Sequence, residues 1–114
     1  MTKPKFVDDE AFRSLRTGDA ERFHAEMEGR ASLDLSDSDL RGSDLRGVDL
    51  DRVVLRGAYL RDVDLRGQDL REHDLEGVSL RHAKVSGAWF PDNIDPAEIQ
   101  ASVALGIRLR VRRG

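Results

Sequence analysis

The groups able to do chemistry in this chain are charged, and they come in pairs. Asp39 and Arg41, Asp44 and Arg46, Asp64 and Arg66, and Asp69 and Arg71 each flank a single leucine. In an extended segment the residues one before and one after a given position share a face, so each pair sets opposite charges side by side and pointing outward. Exposed pairs of this kind contribute about 0–1 kcal/mol each and chiefly provide solubility. General acid–base work needs a carboxyl group of strongly displaced pKa, and a lattice of aspartates beside arginines supplies no reason for one. Other catalytic signatures are absent: no G-x-S-x-G elbow, Walker loop, H-E-x-x-H or dinucleotide fingerprint occurs. The histidines, His24, His73 and His82, lack metal-ligand spacing, and there is no cysteine to supply a thiolate. The expectation is a protein that is not an enzyme and holds neither cofactor nor metal.

What positions these pairs is a repeat. Leu35, Leu40, Leu45, Leu50, Leu55, Leu60, Leu65, Leu70, Leu75 and Leu80 fall at an unbroken spacing of five, which Val85 and Phe90 continue. Along an α-helix a step of five turns a side chain by roughly 140°, so these leucines would form no stripe. On a flat strand an odd step sends successive leucines to opposite faces. All of them reach one interior only if the chain turns a corner in every unit, and glycines at 42, 47, 57, 67, 77 and 87 stand where corners fall. Periodicity predicts a solenoid and leaves the number of sides open. At 114 residues the chain has room for one domain; its 36% charged and 5% aromatic residues leave few bulky side chains for an ordinary core.

The units SDLRG (38–42), SDLRG (43–47), AYLRD (58–62) and VDLRG (63–67) resemble the repeat of the pentapeptide-repeat family: a small residue, Asp or Asn, Leu or Phe, a polar residue, then often Gly. The resemblance covers residues 33 to about 92. It implies an all-β solenoid, a right-handed quadrilateral β-helix with twenty residues per coil and hence about three coils. With that stacking, Arg41, Arg61 and Arg81 form one column and Arg46 and Arg66 the next, a candidate surface for an anion or an acidic partner. Asp44 and Asp64 form an acidic column ending in Lys84, and Asp49 and Asp69 another ending in Trp89. Val54 and Tyr59 stand where Asp is usual and, with Trp89, are a candidate apolar contact. Gln68 and His73 occupy inward slots meant for small residues, so their polar tips must bond to the backbone or distort the coil.

So short a stack needs covered ends. Residues 1–32 read as an N-terminal helical cap, 33–92 as the β-helix, and 93–114 as a C-terminal helix and basic strand. Asp8 is read as the N-cap of a first helix over 9–16, with Val7 and Phe12 as its staple. A second helix runs from Asp19 to about Met27. Asp95, Pro96 and Glu98 predict an N-cap, an N1 proline and a capping box opening a helix over 96–105 that stops at Gly106. Ile107, Leu109 and Val111 then alternate with Arg108, Arg110 and Arg112 as in a half-buried strand, either sealing the last coil or pairing with a second copy in a homodimer.

The leading functional expectation is a non-catalytic protein-binding or scaffolding module with an unidentified protein partner, since solenoids act through their faces. The resemblance implies an alternative, because some family members imitate B-form DNA and bind DNA gyrase or topoisomerase, giving quinolone resistance or protection from toxins. Residues 33–92 carry nine basic against thirteen acidic residues, a weak imitation of phosphate. Nucleic-acid or anion binding through the arginine columns and the tail is a third reading, without a recognition motif or a basic domain behind it. The net charge of −3 gives no global field toward membranes or nucleic acid, and without an apolar leader or span a cytoplasmic location is the default.

Overall fold

In the computed structural model, which describes residues 3–113, the leucine period becomes a chain wound upon itself. β1 (Leu33–Asp34) pairs in parallel with β2 (Val53–Val54), an offset of twenty residues. The same offset recurs in bridges from Asp39 to Tyr59 to Ser79, from Asp44 to Asp64 to Lys84, and from Asp69 to Trp89. The ten leucines from Leu35 to Leu80 all point inward, none more than 2% exposed. The residues two before them complete the interior: Ser38, Ala58 and Val78 along one line, and Ser43, Val63 and Ala83 along another, all buried. Small inward side chains let successive windings approach to ladder distance, which is why the backbone bonds there are complete.

Corners fall two residues after each leucine. Gly57 shows why glycine suits them: its φ is +71°, and a Cβ there would run into the Asp37 carboxylate. Asp37, Asp62 and His82 hold the same corner slot and the same left-handed backbone, with φ near +60°. The slot changes character at Arg52 and Glu72, which are not among the described residues of positive φ.

That change marks a seam. Among the described residues no backbone hydrogen bond joins 47–52 to 67–72, or 53–55 to 73–75. Gln68 and His73 fill the seam instead. Gln68 Nε2 donates to the carbonyls of Leu45 and Val48, at 2.6 and 2.7 Å, and His73 Nε2 lies 2.9 Å from the Leu50 carbonyl. Gln68 thus satisfies the Val48 carbonyl, which has no backbone donor across the seam, while the Leu45 and Leu50 carbonyls take a side-chain bond in addition to their turn bonds from Val48 and Val53.

Both ends are covered. α1 (Glu10–Arg16) and α2 (Ala20–Met27) bury Phe12, Leu15, Phe23 and Met27 against the first winding. The N-cap of α1 is Asp9, one residue later than the sequence suggested: its carboxylate accepts from the Ala11 N–H and is held by Arg30 at 2.6 Å. Asp8 instead pairs with Arg13 in solvent. Lys5 exchanges backbone bonds with Asp37 and Asp39, extending the ladder by one bridge, and Arg52 donates to the carbonyls of Met27 and Arg30.

At the other end, α3 (Pro96–Leu105) begins after Asp95 and stops at left-handed Gly106, against which the Arg81 side chain packs. The expected capping box does not form. Asp95 makes no side-chain cap bond, and Glu98 turns away to pair with Arg110 at 2.9 Å. The buried Ser102 hydroxyl accepts from the Leu80 N–H, and the Val103 carbonyl accepts from His82. The tail is extended but makes no regular strand. Leu109 exchanges two backbone bonds with Gly77 and Val78 and is fully buried, so the tail lies over its own last winding.

Candidate binding surface

The outward pairs are more than neighbours. In each of four units the Arg fork grips the Asp two residues before it: Nε to Oδ1 and a terminal nitrogen to Oδ2, at 2.7–3.0 Å for Arg41, Arg46, Arg66 and Arg71. The same aspartate accepts from the arginine's own backbone N–H. Asp34, Asp49 and Asp74 accept from the N–H two residues on without an arginine fork. The aspartate is therefore a corner-forming residue as well as a charge, capping a backbone donor as Asx-turns do. Sequence reasoning saw the charge pairing and missed the turn, although the regular Asp-Leu-X spacing carries it.

These bonds set the electrostatics. The Arg46 fork holds the Asp44 carboxyl down at about 2, and Arg71 does the same for Asp69. Asp39 and Asp64 are also lowered, by Arg41 and Arg66 respectively. Arg46 reaches across to Asp64 in the next winding at 3.2 Å. Carboxylates held this firmly ionised make poor proton donors near neutral pH.

The twenty-residue register brings Arg41, Arg61 and Arg81 onto one side and Arg46 and Arg66 onto the next. Within the first column the three arginines differ. Arg41 grips the buried Asp39, but Tyr59 and Ser79 stand two before Arg61 and Arg81, so neither has a fork partner. Arg61 approaches Asp62 at 3.5 Å, and Arg81 has no carboxylate within 4.0 Å among the described residues.

Val54, Tyr59 and Trp89 fall in three different register columns. Arg108 lies 4.7 Å over the Tyr59 ring and Arg71 lies 5.0 Å over Trp89, which stays 58% exposed. The tail arginines are engaged in the chain's own structure. Arg108 donates to the Gly77 carbonyl, Arg110 pairs with Glu98, and Arg112 lies 3.4 Å from Asp95 and donates to the Asp92 carbonyl. Among the described residues no group of three or more His, Cys, Asp or Glu is disposed to hold a metal ion, and no helix is long and apolar enough to cross a membrane.

The family model for pentapeptide repeats matches residues 34–67 and 58–92, in eight copies, together just over half of the chain. The chain belongs to the pentapeptide repeat family. Among solved structures, the crystal structure of a pentapeptide repeat protein (Rfr23) from the cyanobacterium Cyanothece 51142 is 32% identical, covering 53% of this chain and 41% of that one, with a TM-score of 0.47. This chain thus spans less than half the length of that protein. No curated protein matches the sequence.

Membership makes the wound chain a right-handed β-helix, and pentapeptide repeat proteins are in general non-catalytic binding or structural modules. Against the pentapeptide pattern, the seam is this protein's own departure: Gln68 and His73 replace the small inward residue in consecutive units. His73 Nδ1 is buried without a hydrogen-bond partner, as are the hydroxyls of Ser38 and Ser43. Outside the seam the charged residues Arg56, Arg71, Asp74 and Glu76 line an open depression of about 700 Å³, with Arg56 and Asp74 paired at 2.9 Å.

Proposed function

We propose that this pentapeptide repeat protein is a non-catalytic protein-binding or scaffolding module, built as three four-sided coils between helical caps. One observation carries the reading. The leucine-filled interior is closed to ligands and both ends are covered by the chain itself, so the sides are the large surface left for a partner. Within those sides, Arg61 and Arg81 are adjacent cations without the aspartate fork that neutralises Arg41, Arg46, Arg66 and Arg71. An acidic patch on a partner protein complements them.

DNA mimicry of the gyrase-binding kind fits less well, because it needs an uncompensated row of negative charge and here four outward aspartates are forked by arginine. Nucleic-acid binding through the tail also lacks support, because Arg108, Arg110 and Arg112 serve the C-terminal cap. The tail edge that faces its own coil is closed to strand addition, because Leu109 spends its backbone groups there on Gly77 and Val78.

Capture of partners from a host lysate, with wild type beside an Arg61→Glu/Arg81→Glu variant, tests the proposal. A partner retained by wild type and lost by the variant supports binding through this side. Identical recovery by both removes the side from consideration.

A further inference from the structure

The N-terminal cap carries an exposed feature that the fold does not require. Phe6 is 67% exposed, an unusual outlay of apolar surface on a chain with few aromatic residues. It forms one wall of a groove of about 460 Å³ whose other apolar lining is Val7 and Phe12, within the size range of sites that hold a side chain or small ligand. Phe12 is 1% exposed and anchored in the core, so the floor is rigid.

The rim is cationic in a specific way. The Arg16 guanidinium stacks 4.6 Å from the centre of the Phe6 ring and 5.9 Å from that of Phe12. Among the described residues it has no carboxylate within 4.0 Å, whereas its neighbour Arg13 is held by Asp8 at 2.9 Å and by Glu10 at 2.5 Å. A guanidinium over an aromatic ring spends no N–H donor on that contact and keeps them for a carboxylate. Asp8, paired with Arg13, also lines the groove, which leaves Arg16 as the lining cation without an ion pair, and that combination complements an apolar side chain beside an acidic one.

The geometry points to a docking site on the N-terminal cap for a partner protein's acidic peptide segment, with an aromatic or leucine side chain seated against Phe6 and Val7 and a neighbouring carboxylate on Arg16. The inference rests on the reading of this protein as a binding module, but it moves the contact from the sides of the β-helix to the cap.

The test is fluorescence anisotropy on the full chain with a fluorescein-labelled peptide bearing one phenylalanine flanked by glutamates, beside a counterpart with lysines in their place. The acidic peptide is expected to bind at least about tenfold more tightly than the lysine peptide. Arg16→Glu and Phe6→Ser are each expected to weaken it about tenfold, while Arg61→Glu/Arg81→Glu leaves it within about twofold. Arg16→Gln, which keeps length and polarity, serves if the charge reversal disturbs α1, as circular dichroism would show. Equal affinity for the two peptides overturns the proposal, as does indifference to both Arg16 variants. Displacement of the peptide by phenylpropionate at equal concentration reassigns the groove to a small aromatic acid and overturns it as well. Loss of peptide binding to Arg61→Glu/Arg81→Glu alone returns the contact to the sides and sinks only the cap inference.

Discussion

Two sides of the same β-helix obey the leucine period equally and hold together differently. Along 38–45, 58–65 and 78–84 the inward residues are Ser, Ala or Val, and backbone bonds run from winding to winding. Between 47–55 and 67–75 the leucines are as buried, yet the ladder is missing at that one junction and side-chain bonds from Gln68 and His73 cross it, although 53–54 still pairs with 33–34 and Asp69 with Trp89. The difference teaches that leucine burial and backbone pairing are separable. Burial follows from the period of five, whereas pairing is lost at the one junction where two bulky polar side chains reach inward to the winding before them.

The largest effects should come from the leucines. Leu60→Ala, on the laddered side, is expected to cost about 2–5 kcal/mol in urea unfolding, because surroundings held by the ladder cannot collapse onto the cavity. Leu50→Ala, beside the seam, should fall near the bottom of that range; equal losses would erase the contrast between the two sides. Next comes the cap over the laddered side. Ser102→Ala leaves the Leu80 N–H without its acceptor, at a cost of about 1–3 kcal/mol by the same assay.

The seam itself can be tested by closing it. In a Gln68→Ala/His73→Ala variant the ladder is expected to re-form, slowing hydrogen exchange of the Asp69 and Asp74 amides by about tenfold relative to wild type. Unchanged or faster exchange would mean that the corner at Arg52 and Glu72, not the bulky inward pair, holds the seam open. The forks on both sides give a pH signature. Asp44 and Asp69 are depressed from the ordinary 3.8 to about 2 in the folded state. A carboxylate depressed on folding stabilises above its unfolded pKa and loses that contribution as pH falls through the folded one. Stability should therefore decline between about pH 4 and pH 2, and Asp44→Asn/Asp69→Asn should flatten the decline in thermal melts across that range. The smallest effect is Ser38→Ala, which removes a buried hydroxyl without a partner and is expected to leave stability unchanged or raised by up to about 1 kcal/mol.

Much of this was legible in advance, because the repeat ties local chemistry to global position. Leu at every fifth residue and Gly two after it specify interior and corner conformation without reference to anything distant, whereas the turn bond of the Asp before each Leu was missed although the same spacing carries it. The helix boundaries at Asp19 and Gly106 were legible for the same reason, as local capping chemistry. The N-cap at Asp9 was not, since Asp8 and Asp9 are alike in sequence and Arg30, twenty-one residues away, chooses between them. Glu98 likewise forgoes its capping box for Arg110, a partner that arrives only when the tail folds back.

By itself the sequence determined the winding, the filled interior and the outward lattice of opposite charges, because each depends on residues within a few positions of one another. Only the tertiary structure decided which arginines keep a free charge, where the ladder opens and which way the tail turns. Those outcomes depend on contacts between windings and caps twenty or more residues apart, where competing partners of equal local merit are separated by geometry alone.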